Sequence, residues 1–276
     1  PAVAAGLAEE FDAVVVAAGA CAARGVRAEG FEEGLASGDV VYAVDYLTEQ
    51  TRALLEGREP AISAAGKDVV VIGGGDTGND CMGTAVRQGA RTVRQLEYGP
   101  CAPEVRAASN AWPEWPNVKK TDYGQEEAIA LQGDDLREWC ADTQRVLLGD
   151  DGRVRGLQVH SLDWSAGKPQ HVEGSEREID AQLVLVACGF AGPERGVFDA
   201  LGVPVATTGR PLPVMEGGAT GAAAVTHRAE LAEGAAAAGC AAVYVAGDAR
   251  NGSSLVVSSM ADALKCAAEV AVDLGL

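Results

Sequence analysis

Val69-Val-Val-Ile-Gly-Gly-Gly-Asp-Thr-Gly78 is the stretch from which the fold of this chain is read. Four apolar residues form a short buried strand. Gly73, Gly75 and Gly78 then fall at the G-x-G-x-x-G spacing, and Asn79 to Gln88 has helix-compatible composition. Strand, glycine turn and helix in that order are the context in which this motif signals a dinucleotide site. Gly73 allows the tight turn, Gly75 lets the backbone approach a pyrophosphate, and Gly78 lets the helix pack closely on the strand. Gly74, Asp76 and Thr77 complete the turn, and the helix N-terminus offers N–H groups and partial positive charge to phosphates. Thr92-Val-Arg-Gln-Leu-Glu97 reads as the next strand and ends in a carboxylate 19 residues after Gly78. An acid there is placed to hydrogen-bond an adenosine ribose 2′-hydroxyl. The competing reading is a glycine turn that only packs.

The chain has 276 residues, room for two modest domains or one large one. A hydrophobic content of 47% allows a sizeable core, and with only 5% aromatic residues that core must rest on Val, Leu and Ala. Twenty-two basic against 40 acidic residues give a net charge of −18, which repels nucleic acid and anionic membranes at long range. We therefore expect no nucleic-acid partner and no membrane association, and no apolar stretch reaches the ~18 residues a span needs. The 7 cysteines are scattered, with no C-x-x-C, so these residues encode neither a zinc site nor an iron–sulfur cluster. Scattered free cysteines fit a reducing intracellular compartment.

Outward from the glycine turn, the segment 7–11 reads as the end of a helix and Asp12 to Gly19 as a buried strand. Residues 20–40 read as loop, Val41 to Leu55 as helix, and 123–139 as largely helical. The Pro- and Trp-rich segment 98–117 cannot be regular helix. Thr143 to Leu148 and Val154 to Asp163 are strands joined by Gly149-Asp-Asp-Gly152, a strong turn signal. Gln182 to Gly189 and Ala242 to Asp248 are further strands. The Gly/Ala-rich segment 216–241 reads as loose loop or short helix, and 253–274 as a closing helix. Strands alternating with helices imply an open parallel sheet, on which ligands sit beyond the carboxyl ends of the strands. Gly19, Gly73, Gly189 and Gly247 mark such ends.

Five stretches carry a resemblance: 69–81, Trp112-Pro-Glu-Trp-Pro116, Thr121-Asp-Tyr123, Gly189-Phe-Ala-Gly-Pro-Glu194 and Ala246-Gly-Asp-Ala-Arg-Asn-Gly-Ser-Ser-Leu-Val-Val257. Together they resemble the small-subunit family of NADH- or NADPH-dependent glutamate synthase, or the equivalent C-terminal region of a fused enzyme. The resemblance implies an α/β protein of two nested Rossmann-like FAD/NAD(P)-binding domains with parallel sheets, the FAD domain incomplete. It assigns 1–66 and 196–276 to FAD and 67–195 to NAD(P)H. Hydride would pass from NADH or NADPH to FAD, and electrons would travel through iron–sulfur clusters upstream of this sequence to the large subunit or domain. There glutamine and 2-oxoglutarate become glutamate. The cytoplasm or a plastid would be home.

Residue by residue, the resemblance places Gly73 to Gly78 on the coenzyme phosphates and Glu97 on the ribose. The Glu97 carboxylate favours NADH, while Arg94 and Arg106 leave NADPH open. Gly189 closes a strand. Gly247 and Asp248 match the pair that holds the ribityl–phosphate region of FAD, and Ser254, Leu255 and Val256 open a helix aimed at the flavin. The family's first glycine fingerprint and its iron–sulfur module are absent from this sequence, which reads as a fragment. Asn251, Ser258-Ser-Met260 and Asp262 depart from the family's pattern at the FAD site.

Other readings stay open: a related flavin reductase with a different acceptor, or a nucleotide-binding assembly module without catalysis. Trp112 and Trp115 fit either a rigid packed lid or a surface that binds a partner or a nucleotide. His160, His171 and His227 lack metal spacing, and Cys81 reads as a small core residue. No residue stands out as a general acid or base, and hydride transfer needs none.

Overall fold

A computed structural model describes residues 6–7, 10–217, 223–232 and 242–276. Strands β1 (Ala13–Val16) and β2 (Ala22–Ala23) lead into α1 (Phe31–Ser37), β3 (Val40–Tyr42) and α2 (Ala43–Glu56). Next come β4 (Asp68–Ile72), α3 (Gly75–Arg87), β5 (Thr92–Leu96), α4 (Tyr123–Gln132) and β6 (Arg137–Glu138). Strands β7 (Ala141–Leu148), β8 (Val154–Asp163), β9 (Gln170–His171) and β10 (Arg177–Asp180) precede β11 (Leu183–Val186). The chain continues through β12 (Phe190–Gly192), α5 (Arg195–Ala200), β13 (Pro213–Gly217), β14 (Ala223–Ala229), β15 (Ala242–Val245), α6 (Asp248–Asn251) and α7 (Val256–Asp273).

Two compact units result. One runs from Gly25 to Cys188, and the other combines Pro1–Arg24 with Gly189–Leu276. The unit boundaries therefore fall at 24/25 and 188/189 rather than at 66/67 and 195/196. Strand pairing is the reason: β3 pairs with β11, and β11 pairs with β4, so residues 40–42 share a sheet with the glycine-turn strand.

In the Gly25–Cys188 unit the central sheet has five parallel strands in the order β3-β11-β4-β5-β6. Strands buried on both faces read as continuous apolar runs, which Val69–Val71 and Leu183–Val186 are. Val69, Val71, Leu183 and Leu185 pack with Tyr46 of α2 and Cys81, Met82 and Ala85 of α3. Val70, Val184 and Val186 turn the other way, towards Val146, Leu157 and Val159 of an antiparallel sheet, β7-β8-β10. The tight turn at 149–152 joins β7 to β8, as its Gly-Asp-Asp-Gly sequence indicates.

The other unit holds a sheet in the order β1-β15-β14-β13, with β1 and β15 parallel and the remaining pairs antiparallel. Val16, Val243 and Val245 pack with Phe198 and Leu201 on one face. Tyr244 and Ala246 pack with Cys266 of α7 on the other.

Several local expectations are corrected. Residues 20–40 hold β2 and α1 rather than loop alone, and Val40–Tyr42 is a strand rather than the first turn of α2. Helix α4 stops at Gly133, whose φ of 75° forms a left-handed cap, and β6 follows. Within the segment expected to be loop or short helix, 216–217 and 223–229 lie in antiparallel strands. Its remaining stretches at 218–222 and 233–241, including Cys240, lie outside the described residues, as do 8–9 of the N-terminal helix expectation.

Candidate functional site

Gly73 ends β4 between two parallel neighbours. Its N–H donates to the Leu96 carbonyl at 2.8 Å, and its φ is +99°. A Cβ here would lie 2.5 Å from the Ala187 carbonyl oxygen, beyond the end of β11. The turn is thus wedged between the carboxyl ends of β5 and β11, where the sheet order sends the chain both ways, the place where such sheets hold ligands.

Gly74 lies directly beneath the Glu97 carboxylate: a Cβ on Gly74 would fall 1.7 Å from Oε1. Gln95 holds that carboxylate in place. Its Nε2 donates to Glu97 Oε1 at 2.9 Å and to the Gly73 carbonyl at 3.2 Å. Gln95 is fully buried and accepts in turn from Gln125 Nε2 at 3.2 Å, and Gln125 accepts from Arg137 Nη1 at 3.2 Å. Burial pushes the Glu97 carboxyl above its ordinary range, with Arg137 and Gln95 pulling the other way. Among the described residues Glu97 Oε2 accepts no hydrogen bond.

A cavity of about 260 Å³ opens beside the turn. Gly75, Asp76, Asn79 and Glu97 line it, together with Lys119, Lys120, Arg137 and Trp139. Thr77 and Gly78 sit in the first turn of α3 and do not line it. Arg106 does not line it either. Its guanidinium bonds Asn110 Oδ1 and the Glu114 carbonyl inside its own loop. Arg94 is engaged by Glu138, which Arg177 also holds.

The structure therefore brings together Gly74, Gly75, Asp76 and Glu97 and leaves Arg106 apart. Sequence reasoning missed Asn79, Gln95, Gln125 and the two lysines. The motif gives the turn, whereas these residues are gathered by the packing of α3, α4 and β6. A glycine cradle, a carboxylate against it and an adjoining cleft fit the phosphates and adenosine ribose of a dinucleotide.

In the other unit, Gly247 (φ 66°) ends the last strand, and its N–H donates to Asp262 Oδ2 at 2.8 Å. Asp248 opens α6, and its Oδ1 accepts from Ser259 Oγ at 2.7 Å and Ser254 Oγ at 2.8 Å. Those bonds, Ser259 foremost, hold its carboxyl below the ordinary range. A cleft of about 420 Å³ lies at the carboxyl ends of β1 and β15, lined by Gly19, Gly247, Asp248, Ser254, Val256 and Met260. Leu255 caps α7 and is exposed. Gly189 (φ 74°) also belongs to this unit and accepts from the Arg24 N–H. The nearby cation, Arg250, is bonded to Asp262. An ionised carboxylate in a largely apolar cleft suits a hydroxyl-bearing chain and a flat ring, so the residues fit the ribityl part of FAD better than its phosphates.

No family model matches the chain. It is 35% identical over 274 residues to the NADPH glutamate synthase small chain of Bacillus subtilis, covering 96% of this chain and 50% of that protein. It is 35% identical over 271 residues to the NADH glutamate synthase of Schizosaccharomyces pombe, covering 94% of this chain and 12% of that protein. The chain thus spans about half the length of the small chain it matches. Among solved structures, Mycobacterium tuberculosis FprA in complex with NADPH aligns with a TM-score of 0.63 at 17% identity, over 98% of this chain and 65% of that one. At that identity the likeness concerns the fold.

Proposed function

We propose, from the premise that this chain belongs over the region it spans to the glutamate synthase small-chain family, that it binds NADH or NADPH in the Gly25–Cys188 unit and part of FAD in the other. When bound, the nicotinamide supplies a hydride and the flavin takes up the electron pair. The protein's own residues bind and orient. The N–H groups opening α3 face the coenzyme phosphates, Glu97 Oε2 accepts from a ribose hydroxyl, and Gln95 fixes the carboxylate for that task. In the second unit Asp248, held by two serine hydroxyls, accepts from the ribityl chain, and the apolar wall of Val256 and Met260 excludes water from the ring. No general acid or base is asked of any residue.

The observation that carries this reading is the Glu97 carboxylate lying against Gly74 at the mouth of the cleft. A turn that served packing alone would not need a half-buried carboxylate held over it. In the intact enzyme electrons would pass through iron–sulfur clusters held outside these residues to a large subunit or domain that makes glutamate. The cytoplasm or a plastid would supply the reducing surroundings. No helix among the described residues is long and apolar enough to cross a membrane.

The test is calorimetric titration of the purified chain with NADH and NADPH, alongside its visible spectrum and reduction of a dye. Saturable coenzyme binding with a flavin spectrum and dye reduction is the expected result. A colourless chain that still binds coenzyme would favour the nucleotide-binding module without electron transfer. A chain that binds neither coenzyme overturns the reading.

A further inference from the structure

Resting on the coenzyme reading, we propose that Lys119 and Lys120 read a phosphate in the cleft that Glu97 also lines, so that this chain accepts the 2′-phosphorylated coenzyme. Two features of the cavity point to it. The first is geometry: the same cavity is lined by the turn residues Gly75 and Asp76, by Glu97, and by both lysines. A ribose seated against Glu97 would therefore present its 2′ substituent inside a space that both lysine residues line. A ribose 2′-phosphate carries about −1.5 to −2 charges at pH 7, which two lysines balance.

The second feature is how the lysines are held. Arg137 is almost fully buried, and its guanidinium donates to the Lys120 carbonyl at 2.8 Å and to Thr121 Oγ1 at 2.8 Å. Asp122 then caps α4 in a reciprocal bond with Gln125. The backbone presenting the two lysines is thereby clamped to the same Arg137–Gln125–Gln95 chain that positions Glu97. One hydrogen-bonded frame thus ties the backbone that carries the lysines to the carboxylate.

Both ammonium groups stay available. Lys119 Nζ lies 5.1 Å from the Trp139 ring centroid, with the exposed Glu104 at 3.4 Å and Asp135 at 3.9 Å. Both pairings are long, Glu104 is exposed, and Asp135 is already held by Arg137, so a phosphate dianion can take over Lys119. Lys120 Nζ lies 5.1 Å from the Trp115 ring, and no carboxylate lies within 4.0 Å of it among the described residues. Arg94 and Arg106, the cations nearest in sequence to Glu97, are committed elsewhere.

The experiment is calorimetric titration of the intact chain with NADPH, NADH, 2′,5′-ADP and 5′-AMP. The proteins are the unmodified chain, Lys120→Gln, Lys119→Gln/Lys120→Gln and Lys119→Arg/Lys120→Arg. The double glutamine variant is expected to lose about 10- to 100-fold in NADPH affinity while NADH affinity stays within about threefold. The difference between 2′,5′-ADP and 5′-AMP should collapse in parallel, and the double arginine variant should restore it. Lys120→Gln, at an exposed position, keeps the test readable should Lys119 prove needed for folding. An unchanged ratio of NADPH to NADH affinity in the glutamine variants overturns the inference. An unmodified chain that binds NADH but not NADPH also overturns it, while leaving the coenzyme reading intact. A chain that binds neither overturns both.

Discussion

Gly73, Gly74 and Glu97 concentrate most of the site's physics in three residues. At Gly73 a left-handed φ and a carbonyl 2.5 Å from where a Cβ would lie act together, and that carbonyl belongs to a strand end that cannot move freely. Gly73→Ala should therefore cost about 2–4 kcal/mol of stability in urea denaturation, more than backbone strain alone. Glu97 makes a prediction with a definite sign. Its folded-state pKa is raised, so its contribution to stability is fully present below the unfolded-state value. That contribution is lost as pH rises through the higher folded value. Glu97→Gln should abolish this loss: the variant should gain stability over the unmodified chain across that window, in urea midpoints measured as a function of pH. The same substitution removes a charged ribose acceptor and should weaken NADH binding about tenfold by calorimetry. Cys81 behaves differently from a reactive thiol. It is fully buried, and burial followed by Asp80 pushes its pKa up to about 12. Thiol reagents should label the exposed Cys21 and Cys101 in the native chain and reach Cys81 only after unfolding, as peptide mapping would show.

Helices α3 and α4 meet closely enough to align the residues around the cleft. Asn79 of α3 is buried, and its Oδ1 accepts from the Gly124 and Gln125 N–H groups at 2.9 and 3.1 Å, pairing two of the donors that open α4. A Cβ on Gly124 would sit 2.1 Å from the Asn79 carbonyl oxygen. Gly124→Ala should push the helices apart. Asn79→Ala should strand the buried Gly124 donor, the Gln125 N–H keeping Asp122, at a cost of about 1–3 kcal/mol. Both should lower coenzyme affinity as well as the urea midpoint, because Gln125 leads to Gln95 and Glu97. The elements themselves were largely legible in sequence. Apolar runs closed by glycine give β4, β11 and β15, and the Gly-Asp-Asp-Gly turn gives the β7–β8 hairpin. Strand β3 was hidden because Val40-Val-Tyr42 runs into α2 with no turn residue between them, and its apolar side chains continue the helical spacing. Strand β14 was hidden because Ala223–Ala229 carries little β-branched character, so partner strands rather than local preference define it. Glu97 was legible from its spacing to the glycines. Gln95, Gln125 and Lys120 were not, since nothing local marks a residue whose role comes from long-range packing.

At the scale of the whole molecule, the chain leaves one unit at residue 25 and returns to it at 189, and each unit closes its own core. Every residue of the two large apolar clusters flanking the five-stranded sheet lies within Gly25–Cys188. The clusters around Phe198 and Tyr244 lie wholly within the other unit. Sheet pairing obeys the same division: β3 to β11 pair only among themselves, as do β1, β13, β14 and β15. A segment with a complete sheet, helices on one face and an antiparallel sheet on the other meets the requirements of an independent domain. The excised segment 25–188 should therefore unfold in one cooperative urea transition. It should also bind 2′,5′-ADP within about threefold of the intact chain, because Gly73, Glu97, Lys119, Lys120 and Arg137 all travel with it. It should have no flavin-binding capacity, since Asp248 and the cleft at the ends of β1 and β15 stay behind. Loss of nucleotide binding in a folded 25–188 segment would mean that the adenosine end of the coenzyme depends on residues of the other unit. The cleft beside Gly74 would then be only part of the site.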